Sequence, residues 1–112
     1  MSLRKDISNR LNDFTSLCDS HNVKYLYVFG SSLTEHFDEE NSDIDFLVEI
    51  DADDPIDRGE KLMSLWDNFE GFFNRKVDLL TNNSIRNPFL QKSIDSTKVL
   101  IYDGTGKNMN YP

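Results

Sequence analysis

The sequence predicts a single α+β (α/β) domain, a small mixed β-sheet of about four strands flanked by helices, on three observations. Helix-like and strand-like periodicities alternate along the 112 residues. The connection between the first two strand patterns is too polar to be a full helix, which favours a mixed sheet over an all-parallel one. The length suits one core, because two domains of half this size would each be too small to bury an interior. Residues 1–103 are therefore expected to form the domain, with 104–112 a loose tail carrying Gly, Asn and Pro but no periodicity.

The elements follow in order. Leu3, Ile7, Leu11, Phe14, Leu17 and Cys18 recur at steps of three and four, so residues 3–21 read as one helix. Residues 23–29 are rich in β-branched and aromatic side chains and read as a strand ending at Gly30-Ser31-Ser32. Residues 43–50 alternate, placing Ile44, Phe46, Val48 and Ile50 on one face and Asp43, Asp45, Leu47 and Glu49 on the other. Asp54-Pro55 has the form of an N-cap with proline at the first helical position, and the apolar stripe from Leu62 to Phe73 carries that helix onward. Residues 76–81 give a short third strand, with Val77 and Leu79 opposite Lys76, Asp78 and Leu80. After a loop or short turn at 83–87, residues 88–96 read as a helix and 98–102 as a fourth strand.

Composition narrows the function classes. The 38% hydrophobic content and 13 aromatic residues support a packed interior. There is no apolar run of the roughly 20 residues that span a bilayer, so no membrane association is expected. One cysteine, Cys18, excludes an internal disulfide framework and fits a reducing, cytoplasmic setting. The net charge is −8, yet its source is local: residues 35–57 hold eleven acids and no Lys or Arg, against nine acids and twelve bases elsewhere. A protein that grips a long nucleic-acid backbone shows the opposite balance, so direct nucleic-acid binding is not expected. Much of the acidic run, including Asp38, Glu39 and Glu40, reads as solvated loop.

Inside that run lies the pattern that carries chemistry. Asp43 and Asp45, two apart on a strand, project from one face with Cα atoms about 6.6 Å apart. Carboxylates drawn to roughly 5 Å repel by about 3 kcal/mol at an effective dielectric of 20. Such a pair calls for a cation, solvent or one protonated acid, and Mg²⁺, a hard ion that keeps waters for phosphate ligands, is a natural occupant. Gly30 after the first strand lets backbone approach a ligand closely, and amides with the hydroxyls of Ser31 and Ser32 can cradle phosphate. Asp78, between two apolar residues of a short strand, supplies a third carboxylate if that strand neighbours the second. A surface position is the plain alternative for each acid, and a strand-ending turn for Gly30.

Phe29-Gly30-Ser31, an eleven-residue gap, Asp43-Ile44-Asp45-Phe46 and then Val77-Asp78-Leu79 together resemble the signature of the minimal nucleotidyltransferases of the DNA polymerase β superfamily. The resemblance implies two Mg²⁺ ions held by Asp43, Asp45 and Asp78, a nucleoside triphosphate such as ATP near Gly30, Ser31 and Ser32, and transfer of a nucleoside monophosphate with release of pyrophosphate. The short chain looks most like antitoxins paired with HEPN-type ribonuclease toxins, which implies a toxin protein as partner and AMP transfer to its hydroxyl. The sequence departs from many relatives at Leu33-Thr34-Glu35, where they carry Ala-Arg-Gly. That departure leaves a competing reading, a non-catalytic module of the same fold that neutralises its partner by contact. Lys76 shares a face with Asp78, and an ion pair with Asp78 is its expected role.

Overall fold

The computed structural model describes residues 3–30, 43–105 and 108–109. Its sheet has the order β3-β2-β1-β4-β5, built from β1 (Val23–Phe29), β2 (Ile44–Ile50), β3 (Val77–Leu80), β4 (Val99–Asp103) and β5 (Asn108–Met109). β1 runs antiparallel to both β2 and β4, whereas β2 and β3 are parallel, so the sheet is mixed as the polar first connection implies. A parallel pair needs a crossover, and α3 (Pro55–Phe73) provides it. Asp54 caps that helix by accepting from the Ile56 amide, with Pro55 in its first turn, and Asn74 ends it in the left-handed conformation at φ 52°.

Alternation along β2 divides the interior into two layers. Ile44, Phe46, Val48 and Ile50 face α3 and the amino-terminal helices, where they meet Ile7, Phe14, Leu65, Phe69 and Phe73. Five phenylalanine rings lock this layer: Phe14 stacks on Phe69 at 5.6 Å, Phe46 lies 5.2 Å from Phe69, and Phe72 meets Phe73 edge-on at 4.8 Å. The opposite face is thinner. There Phe29, Leu47 and Ile94 are buried together, with Tyr27, Leu80 and Ile85 around them. Ile94 comes from α4 (Pro88–Thr97), whose N-cap Asn87 accepts from the amides of Phe89 and Leu90.

One expectation is corrected. The single helix over 3–21 is two helices, α1 (Leu3–Asn9) and α2 (Leu11–Ser20), separated at Arg10 with φ −130° and ψ 44°. The Arg10 guanidinium donates to the Phe72 carbonyl and lies 3.9 Å from the centre of the Phe72 ring. That carbonyl belongs to the last turn of α3, where helical donors run out, so a distant helix end claims the residue that interrupts the first one. Of the stretch 104–112, expected to be a loose tail, residues 106–107 and 110–112 lie outside the described residues, and Asn108–Met109 form β5, which pairs Tyr102 with Met109 and Asp103 with Asn108. No helix among the described residues is long and apolar enough to cross a membrane.

Candidate active site

The second-face residues of β2 and β3 meet because of register. In the parallel pair Ile44 lies opposite Val77 and Asp45 opposite Asp78. The Ile44 amide donates to the Lys76 carbonyl at 3.2 Å, which extends the alignment one step and brings Asp43 beside Lys76. Asp43, Asp45, Lys76 and Asp78 therefore form a four-residue block on the face away from the phenylalanine cluster. On the other side of β2, Asp45 pairs with Phe29, the last residue of β1, so Gly30 also borders the block.

α3 fixes this arrangement through an edge strand. The backbone N–H of Val77 donates to Glu70 Oε2 at 3.0 Å, and the Val77 carbonyl accepts from Trp66 Nε1 at 2.6 Å. Both backbone groups of Val77 are thus satisfied by helix side chains instead of a further strand, which blunts the exposed edge and holds Asp78 in line. Neither Trp66 nor Glu70 stands out in the sequence as a site residue. Trp66 reads as part of an apolar stripe, and only its indole N–H signals a second task.

The electrostatics of the block are those of crowded carboxylates. Burial, followed by the charges of Asp78 and Asp43 and by a hydrogen bond with Asp78, raises the Asp45 carboxyl to about 6 from 3.8. Gly30 stands at φ +72°, and a Cβ placed there would come within 2.6 Å of Asp45 Oδ2. Glycine suits this position by its left-handed backbone, and a Cβ here would make the Asp45 carboxylate shift. Lys76 pairs with Asp43, at 3.8 Å, and not with Asp78 as expected from the shared face. The register explains the difference, because the lysine lies directly across from Asp43.

Gly30, Asp43, Asp45 and Asp78 are accordingly neighbours on one face, while Ser31 and Ser32 lie outside the described residues. Among the described residues no three His, Cys, Asp or Glu side chains are already gathered to hold an ion. The donor chemistry nevertheless fits a hard divalent cation: three carboxylates share one face, and burial together with the charges of Asp78 and Asp43 raises the Asp45 carboxyl, a cost that a bound cation would relieve. A cavity of about 310 Å³ lies elsewhere, lined by Val48, Arg58, Leu62 and Thr81 at the far ends of β2 and β3.

Comparison with known proteins accords with this geometry. The family described as Polymerase beta, Nucleotidyltransferase matches residues 12–105, which include Gly30, Asp43, Asp45 and Asp78. The Methanocaldococcus jannaschii protein named "Putative protein adenylyltransferase MJ1217" is 40% identical over 85 residues, covering 76% of this chain and 83% of the relative. A solved structure described as a putative minimal nucleotidyltransferase superposes with a TM-score of 0.60 at 25% identity, covering 88% of this chain and 95% of that one. A chain from a toxin–antitoxin crystal structure with AMP-PNP shares the fold, with a TM-score of 0.57 at 21% identity over 88% of this chain and 83% of its own length. The strand register, the glycine beside the middle carboxylate and the match over most of the sequence lead to one conclusion: the chain belongs to the polymerase β nucleotidyltransferase family, as one of its minimal nucleotidyltransferases.

Proposed function

We propose that the protein transfers AMP from ATP to a hydroxyl of a protein partner, acting as the antitoxin of a HEPN-type ribonuclease toxin, and that Asp43, Asp45 and Asp78 carry the reaction. The observation behind this reading is the parallel register of Asp45 and Asp78 beside Gly30, which brings three carboxylates and a close-approach glycine onto one face. The resemblance to a relative named as a protein adenylyltransferase, and to a chain crystallised in a toxin–antitoxin assembly with AMP-PNP, supports the choice of nucleotide and partner.

The chemistry follows from these residues. The acceptor oxygen attacks the α-phosphorus, the bond to the bridging oxygen breaks, and pyrophosphate leaves. Asp43, Asp45 and Asp78 are the groups that would hold two Mg²⁺ ions, whose chemistry is to draw charge from the attacking and leaving oxygens. Asp78, opposite Asp45 on the neighbouring strand, is the carboxylate that takes up the proton released by the acceptor hydroxyl. Gly30 keeps a Cβ out of the space that Asp45 needs, and the amides and hydroxyls of Ser31 and Ser32 receive the phosphates.

Incubation with labelled ATP, Mg²⁺ and a HEPN-type toxin protein as candidate partner tests the reading. Label should pass to the partner with the wild type and fall by at least about a hundredfold with Asp43→Ala or Asp45→Ala. An unlabelled partner that still forms a stable complex would establish neutralisation by contact instead, the reading that Leu33-Thr34-Glu35 favours.

A further inference from the structure

The segments that carry Gly30, Asp43 and Asp45 are poor in cations. From Tyr25 to Asp57 the sequence has no Lys or Arg, so neither β1 beyond Lys24, nor the segment joining it to β2, nor β2 itself supplies one. Three carboxylates facing a nucleoside triphosphate of about four negative charges need compensation beyond what two divalent ions provide. The third strand brings the missing charge. Lys76 stands across from Asp43, two residues before the Asp45–Asp78 pair, and shares a face with Asp78 because the two are separated by one residue.

Its present contact is a weak hold. The Lys76 ammonium lies 3.8 Å from Asp43 Oδ2, with the lysine side chain 71% exposed and the aspartate side chain 37% exposed. An exposed pair at that separation contributes little and is given up easily. A flexible ammonium at the rim of an edge strand can swing toward a more highly charged partner without disturbing the backbone, which Trp66 and Glu70 hold at Val77.

Building on the function proposed above, we infer that Lys76 is a substrate-binding residue: it releases Asp43 and takes hold of the outer phosphates of the nucleoside triphosphate. This gives one residue two effects on binding. The ammonium supplies positive charge to the triphosphate, and its departure frees the Asp43 carboxylate to serve as a ligand.

The test measures dissociation constants of the full chain for ATP and for AMP, each with Mg²⁺, by calorimetry. Lys76→Ala and Lys76→Gln should weaken ATP binding by about tenfold or more, as loss of a charged hydrogen bond does, and change AMP binding by less than about threefold. Lys76→Arg should restore most of the ATP affinity. The thermal midpoints of all three should stay near that of the wild type, since the side chain is largely exposed. If Lys76 merely neutralises Asp43, its removal leaves ATP affinity unchanged or increases it, and the inference fails while the proposed function stands. A wild-type protein that binds no ATP overturns both. Equal losses for ATP and AMP would assign Lys76 a general electrostatic effect, and the outer-phosphate contact would be rejected.

Discussion

The two faces of the sheet use the same strands for opposite purposes. On one face β2 presents Ile44, Phe46, Val48 and Ile50 to a layer of three helices, and five phenylalanine rings interlock there. On the other it presents Asp43, Asp45 and Leu47, and α4 contributes one buried side chain, Ile94. The difference shows how a small domain tolerates like charges at close range. Repulsion among the carboxylates is held by apolar packing on the reverse side of the same backbone, while the thin face stays accessible to a ligand.

The largest test of this contrast is a pair of core truncations. Phe69→Ala should cost about 3–5 kcal/mol and lower the urea midpoint of the whole domain, because Phe69 touches both Phe14 and Phe46. Ile94→Ala should cost about 2–3 kcal/mol, with hydrogen exchange accelerating in α4 while β1 and β2 remain protected. Uniform loss of protection in the second variant would mean that the two faces are one cooperative unit and that the contrast is false.

A smaller effect isolates the charged face. Gly30→Ala should destabilise by about 1–3 kcal/mol, from its positive φ and from the approach of a Cβ to Asp45 Oδ2. In an Asp45→Ala background the same substitution should cost less, leaving the backbone contribution alone. Additive costs in chemical denaturation would remove the carboxylate from the explanation.

The smallest expected effect concerns pH. Asp45 is raised from 3.8 to about 6, so between those values the folded protein binds more protons than the unfolded chain. Its contribution to stability is full below about pH 4 and is lost as pH rises through about 6. Since the side chain is only half-buried, the change is roughly 1 kcal/mol or less, a few degrees in melting temperature. In chelator, the wild type should lose this increment relative to Asp45→Asn between pH 4 and 7. Added Mg²⁺ at pH 7 should raise the melting temperature of the wild type more than that of Asp45→Asn. Parallel curves for the two proteins would argue against crowding at Asp45.

What could be read from the sequence tracks how local its cause is. The division of β2 into an apolar and an acidic face follows from residue alternation, and the start of α3 from Asp54-Pro55, so both are legible in the residues alone. The break at Arg10 is invisible because the apolar spacing continues through it and its cause lies at Phe72. The partner of Lys76 depends on strand register, which faces alone do not specify, and the match of Asp45 to Asp78 required β2 and β3 to be neighbours. β5 has only two residues, too few to display a period.

The parallel pairing of β2 with β3 also governs when the site can exist as the chain folds. An antiparallel pair such as β1 and β2 aligns Phe29 with Asp45 without help from later sequence. Asp78 can join them only after α3 has formed and crossed the sheet, since the intervening segment must close a long loop before Ile44 meets Val77. A nascent or partly opened chain therefore carries Asp43 and Asp45 without their third companion. Completion of the crossover becomes a checkpoint, and the chemistry attributed to the three carboxylates belongs only to molecules that have passed it.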